Sequence, residues 1–291
     1  MKKLVLALVL LSNIAWSNDF TTVTIGYGPG GTDTLIRTMI HGAEENSNLK
    51  FVVENKPGAN GSIALKSYFL QPANNKSVLG VSGGQILFEA LANPENNYIS
   101  KLKFVGPVFT SPLAIAVRDD SKFKTIASLF DKRIPRQRIN IAVAGQAHEM
   151  LVDQIIKYSH HDIVAVRYKG SNDAYAALLG GQVDMQSDVY GFFKPKTTVR
   201  TIAVAQPFPI DNVSSINKYA PVEPIINFFA IAVNQDVVDT RDLSDALTVG
   251  IVKNNQVDYF KNQGYNIDLN RKSDFVEREV IPTYKKWKKL L

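Results

Sequence analysis

The residues with the clearest chemical use are glycines. IGYGPGGTD (residues 25–33) and VENKPGANGS (residues 53–62) each stand between a β-branched run and a helical period. A glycine turn that opens a helix leaves backbone N–H groups unpaired and sets the positive end of a helix dipole over one small space, which suits an anion. Read literally, Gly26-x-Gly28-x-x-Gly31 is also a dinucleotide fingerprint, with Glu54 closing the next strand as the ribose acid. Pro29 argues against that use, because it removes a donor where a pyrophosphate needs one. The chain has no GxxxxGK[ST] loop, no GxSxG elbow and no HExxH pair. Its four histidines, His41, His148, His160 and His161, form no ligand array, and His160-His161-Asp162 reads as a polar turn before a strand. No metal and no cofactor are expected, and the chain reads as a non-enzyme.

These turns need strands and helices to hold them. TVTIGY (22–27) reads as a strand, followed by a helix from about Thr32 with Leu35, Ile36, Met39, Ile40 and Ala43 on one face. Thr32 or Asp33 can cap its first turn. KFVVEN (50–55) is the next strand, with a helix from about Gly61, then SVLGVS (77–82), a helix from about Gly84 and FVGPVF (104–109). The pattern restarts with LAIAVR (113–118), a helix near 125–131, INIAVA (139–144) and a helix from about Gln146. IVAVRY (163–168), a helix over 172–179, VDMQS (183–187) and VRTIAVA (199–205) complete the second set. FFAIAV (228–233) echoes LAIAVR, and three helical stretches follow, the last opening at Ser273 and interrupted at Pro282. Alternation of this kind predicts an α/β fold with mostly parallel sheets flanked by helices. The two echoing strands read as paired crossovers between two lobes, residues 18–111 with 222–291, and 112–221. Ligands sit beyond the carboxyl ends of strands in such sheets, so the cleft falls between the lobes.

Lys2 and Lys3, the apolar LVLALVLL, and Ala15 and Ser17 before a cut after Ser17 read as a signal peptide over residues 1–17. The apolar run is shorter than the roughly 20 residues a membrane span needs. With no cysteine there is neither a disulfide framework nor a thiol for lipid attachment. A periplasmic location is therefore expected. The formal charge of +6 is spread along the chain apart from Lys285, Lys286, Lys288 and Lys289, a solvated helix end, so no nucleic-acid partner is expected.

Five blocks in order resemble the solute-binding receptors of the tripartite tricarboxylate transporter family, the Bug-type proteins. They are GPGGTD (28–33) with Arg37, VENKPGANGSIA (53–64), AVAGQAHEML (142–151), VRYKGSNDAYAALLGGQVDM (166–185) and VRTIAVA (199–205). The resemblance implies a two-lobed type II periplasmic binding fold that holds a small organic carboxylate. Di- or tricarboxylates, amino acids and aromatic acids all remain open. It also implies delivery to membrane permease subunits of that transporter by a monomeric receptor. An exported sensor of the same fold, and a Rossmann-type NAD-dependent oxidoreductase, are the alternatives. Carried over, the first-lobe contacts are Gly28, Pro29, Gly30, Gly31, Thr32, Asp33, Ser82 and Gly83. The second-lobe contacts are Ala144, Gly145, Gln146, Ala147, His148, Tyr168, Lys169, Gly170 and Asp188. Asp33 is expected to cap its helix rather than touch ligand, and Glu54 and Asn55 to lock their own turn. Pro29, Gln146, Ala147 and Arg167 depart from the family pattern. Arg167 is expected to point to solvent from its strand end.

Overall fold

A computed structural model describes residues 20–74, 76–253, 255–269 and 275–289. The signal-peptide reading and the start of the last helical stretch at Ser273 lie outside the described residues. The first part of the chain alternates as its hydrophobic periods require: β1 (Phe20–Ile25), α1 (Gly31–Glu45), β2 (Lys50–Asn55), α2 (Ser62–Phe69), β3 (Ser77–Ser82), α3 (Gly83–Ala92) and α4 (Tyr98–Lys101). A 17-residue strand, β4 (Leu102–Arg118), follows. The second part runs β5 (Arg138–Val143), α5 (Gln146–Tyr158), β6 (Asp162–Arg167), α6 (Ser171–Leu179), β7 (Met185–Val189), α7 (Tyr190–Phe193) and β8 (Val199–Val204). β9 (Ile226–Asn234), α8 (Arg241–Lys253), α9 (Gln256–Asn262) and β10 (Asn266–Asp268) come next, and a π-helical turn (Val276–Val280) runs into α10 (Ile281–Trp287). Pro282 follows closely on the π-helical turn, at the start of α10.

The strands order as β2-β1-β3-β9-β4-β7-β5-β6, with β8 and β10 also pairing on β4. β1, β2 and β3 are parallel, as are β5, β6 and β7, whereas β9 and β4 run antiparallel to their neighbours. The sheet is therefore mixed. An antiparallel β9 beside β3 also departs from the parallel order that carries a dinucleotide site.

The runs 104–109 and 113–118, read from the sequence as two strands, are one. Leu102–Val105 lie opposite Ile231–Asn234, the register shifts around Gly106, and Phe109–Pro112 lie opposite Ile226–Phe229. Gly106 takes a φ of +86°, which lets the extra residues bulge out without a Cβ penalty. From Leu113 onward β4 belongs to the other half, against β7 and β8. Pro112, which has no N–H to give a ladder, stands where the strand changes partners. LAIAVR and FFAIAV consequently do not pair with each other. The two passages between the halves are instead Ser111–Pro112 and Ile226–Asn227, opposite one another. Leu113 N–H donates to the Ile225 carbonyl (2.8 Å), and Ile225 N–H to that of Ala205 (3.0 Å).

Each half buries its own apolar strand faces. In the first, Phe104, Phe228 and Phe275 meet edge to face, and Trp287 packs on Phe88, so α10 is docked onto α3. α1 and α8 cross at Gly42 and Gly250, where a Cβ on Gly250 would come within 2.3 Å of the Gly42 carbonyl carbon. Among the described residues no helix is long and apolar enough to cross a membrane.

Candidate functional site

Four helices begin at one small cavity between the sheet halves. It is about 40 Å³ and is lined by the starts of α1 (Gly30, Gly31, Thr32) and α3 (Ser82, Gly84) from one half. The other half supplies the starts of α5 (Gly145, Gln146, Ala147, His148) and α6 (Gly170, Ser171). The caps differ in kind. Ser82 Oγ accepts the Gln85 N–H (3.3 Å) and Asn227 Oδ1 accepts that of Gly84 (3.0 Å), so α3 spends two of its free amides on the protein. α1, α5 and α6 have Gly30, Gly145 and Gly170 at the N-cap, and no side chain caps any of them. A glycine N-cap has nothing with which to satisfy the first-turn N–H groups, and the helix dipole adds to their positive potential. Three such ends around one space offer the unpaired amides and positive potential that suit an anion.

The turn before α1 is held from outside the cavity. Asn55, at the end of β2, donates to the Tyr27 carbonyl (2.8 Å) and to Asp33 Oδ1 (2.8 Å). Arg37 Nε donates to both Asp33 oxygens at 3.0 Å, and Arg37 Nη2 donates to Asn55 Oδ1 at 2.9 Å. The Asp33–Arg37–Asn55 clamp thus joins the two glycine motifs. Asp33 ties its turn to β2 instead of capping α1, and Asn55 locks the first turn, not its own. Gln85 reinforces the link by donating to the Gly61 carbonyl (2.9 Å). Gly26 must lack a side chain, since a Cβ there would meet Gln85 Nε2 at 2.5 Å and Gly61 Cα at 2.8 Å.

In the other half the polar groups face one another. Ala144 N–H donates to His148 Nδ1 (3.3 Å), which leaves Nε2 as the protonated nitrogen, 3.8 Å from Asp188 Oδ1. Asp188, 2% exposed, also accepts its neighbour Val189's N–H (2.8 Å) and Gln186 Nε2 (3.3 Å). Serine, histidine and aspartate share this cavity, but Nδ1, the His148 ring nitrogen that can accept a proton, already takes the Ala144 N–H. With Nε2 carrying the proton and Nδ1 occupied, this arrangement does not match the serine–histidine–aspartate relay, in which the histidine accepts from the serine. Burial pushes the Tyr27 hydroxyl above the ordinary phenol range, with a hydrogen bond to Ser82 opposing it. Lys196, half-buried beyond Phe192, is pushed down by burial, with the Asp188 charge opposing. Among the described residues no group of three or more His, Cys, Asp or Glu could hold a metal ion.

The walls touch across the cleft. A Cβ on Gly84 would stand 3.3 Å from that of Ala147, one on Gly30 3.3 Å from that of Ser171, and one on Gly170 3.4 Å from the Pro29 carbonyl. A second recess of about 390 Å³ shares Tyr27, Ala144 and Gly145 with the cavity and runs out to Pro57, Asn60, Tyr168 and Lys169.

Of the expected site residues, Gly28, Gly30, Gly31, Thr32, Ser82, Ala144, Gly145, Gln146, Ala147, His148, Gly170 and Asp188 line the cavity together. Five stand outside it. Asp33 is in the clamp, and the Pro29 carbonyl packs toward Gly170. Gly83 backs onto Phe228, where a Cβ would clash at 2.5 Å. Tyr168 and Lys169 line the outer recess. Arg167 is exposed and paired with Glu149, its Nε 3.0 Å from Oε2. Tyr27, Gly84, Ser171, Val189, Asn227 and Phe229 line the cavity without having been foreseen. The first three are neighbours of motif residues. Asn227 and Phe229 arrive from β9 through tertiary topology, with no local signal.

A two-part α/β sheet joined by strands that change partners, with helix N-termini meeting between the parts, defines the periplasmic solute-binding class of fold. BugD, a periplasmic binding protein, superposes with a TM-score of 0.77 at 20% identity, covering 93% of this chain and 95% of that one. MatC from Rhodopseudomonas palustris, with bound malate, superposes with a TM-score of 0.77 at 17% identity over 93% and 98%. In sequence, the UPF0065 protein of the tcbD–tcbE intergenic region of Pseudomonas sp. (strain P51) is 27% identical over 173 residues, which is 57% of this chain. The matched stretch spans about half of that relative (51%). No family model matches. The chain is thus similar in sequence to UPF0065 proteins and shares its fold with the Bug-type binding proteins.

Proposed function

We propose that this protein is a periplasmic receptor that captures a small organic carboxylate and passes it to the permease subunits of a tripartite tricarboxylate-type transporter. The observation that carries the reading is the meeting of three helix starts capped only by glycine, from both sheet halves, at one cavity. Burying a carboxylate is costly unless each oxygen is paired, and several amides can pair it without a full counter-charge. The cavity takes the carboxylate head, and the adjoining recess takes the rest of the molecule. MatC's bound malate supports an organic acid as ligand. The lobes are residues 18–111 with 222–291, and 112–221; they close about the passages at Ser111–Pro112 and Ile226–Asn227, and the receptor works as a monomer.

Thermal melts of the protein from Asn18 onward, with carboxylates, amino acids, sugars and nicotinamide cofactors, test this. A ligand that binds only the folded state adds about 2.7 kcal/mol at a hundredfold excess over its Kd. Stabilisation by acids alone is expected; stabilisation by a sugar or a nicotinamide alone refutes the reading.

A further inference from the structure

Asp188 is out of keeping with an anion site. Its side chain is 3% exposed and lines the cavity into which α1, α5 and α6 point their free amides. Donors meet it only in part: its neighbour's N–H at 2.8 Å, the Gln186 amide at 3.3 Å, and His148 Nε2 at 3.8 Å, too long for a good hydrogen bond. Among the described residues His148 is the one basic side chain within 4 Å. A second observation on the same strand face points the same way. Gln186 spends its amide hydrogens on the Ser171 carbonyl (3.1 Å) and on Asp188, and its own Oε1 is fully buried with no donor. One wall of the cavity is thus rich in donors for an anion, and the wall around Asp188 is short of donors. A ligand bearing only a carboxylate would satisfy the first and be repelled by the second.

On the receptor reading above, we propose that the bound acid is a zwitterion, with an ammonium group beside its carboxylate, and that Asp188 is the residue that reads the ammonium. The helix starts take the carboxylate, and Asp188 gives the ammonium both a charge partner and a hydrogen-bond acceptor. A hydroxyl in the same place would donate one hydrogen bond but bring no charge partner into contact with Asp188. The electrostatic neighbours of Asp188, His148 and Lys196, make no hydrogen bond to it, so the hydroxy acid ranks second.

The test is calorimetric titration of the wild-type protein with matched sets of acids on three-, four- and five-carbon skeletons. Each set holds the unsubstituted acid, the 2-hydroxy acid and the 2-amino acid. Within whichever skeleton binds, the 2-amino acid is expected to bind at least tenfold more tightly than the unsubstituted acid, with the hydroxy acid between them. In Asp188→Asn that preference is expected to shrink below threefold, with the unsubstituted acid binding more tightly than to the wild type because the repelling charge is gone. An unsubstituted or hydroxy acid that outbinds the amino acid in the wild type overturns the proposal and leaves the carboxylate receptor standing. A preference that survives in a folded Asp188→Asn protein overturns the role given to Asp188. If that variant does not fold, the wild-type ranking decides alone. Failure of every acid to bind overturns the receptor reading and this inference with it.

Discussion

Gln146 isolates the donor argument in one atom. It is the first residue of α5, where proline fits the backbone and loses only an N–H that the helix does not use. Gln146→Pro is expected to leave the melt within a few degrees and weaken acid binding roughly ten- to hundredfold, the worth of one hydrogen bond to a charge. Unchanged affinity by calorimetry would remove this amide from the site. Asp33 makes the opposite case. Asp33→Ala strips three hydrogen bonds from Arg37 and Asn55, so the melting temperature and the affinity are expected to fall together. At this scale the sequence is readable wherever chemistry lies within one motif, which is why Gly30, Gly145 and Gly170, read from separate motifs, are found at one cavity. It misassigned Asp33, because a short acidic residue in a first turn serves as a cap, an ion pair or a ligand with the same local signature. It was silent on Asn227, which reaches Gly84 from 143 positions away.

Helices and strands set how the two walls approach. Gly84, in the first turn of α3, faces Ala147, in the first turn of α5, across the cleft. Gly84→Val is expected to prop the walls apart: small-angle scattering should show a larger radius with ligand present, and affinity should drop with little change in melting. A variant that compacts and binds like the wild type would show that these helix starts do not meet on closure. Gly250→Ala, where α8 crosses α1, is expected to cost about 1–3 kcal/mol of stability by overpacking, measured by denaturant unfolding, without altering the ligand ranking. Periodicity revealed β2, β3 and the start of α5 to the residue. It split β4 in two at Pro112, because a proline ordinarily ends a strand, and only the change of partner from β9 to β7 makes it tolerable there. Pairing direction was not readable either, since an apolar run looks the same parallel or antiparallel.

For the molecule as a whole, several phenols are buried. Tyr68 is pushed up to about 12 by burial, with the Asn234 backbone bond opposing, and burial also raises Tyr27, Tyr190 and Tyr265. An unfolded phenol ionises near 10 and these resist, so the stability they contribute is intact below pH 10 and is lost as pH rises toward 12. Melts at pH 9 to 12, with phenolate absorbance followed alongside, should show these tyrosines ionising as the protein unfolds; full ionisation in the folded state would contradict that. The two-part architecture matters most for the proposed function, because it brings helix ends from both halves to one cavity. The most direct measurement is an amide NMR titration of the protein from Asn18 onward with the acid that stabilises it best. The amides of Gly31, Thr32, Gln146, Ala147 and Ser171 are expected to shift together with a single Kd. Shifts confined to one half, or lying away from all three helix starts, would contradict it.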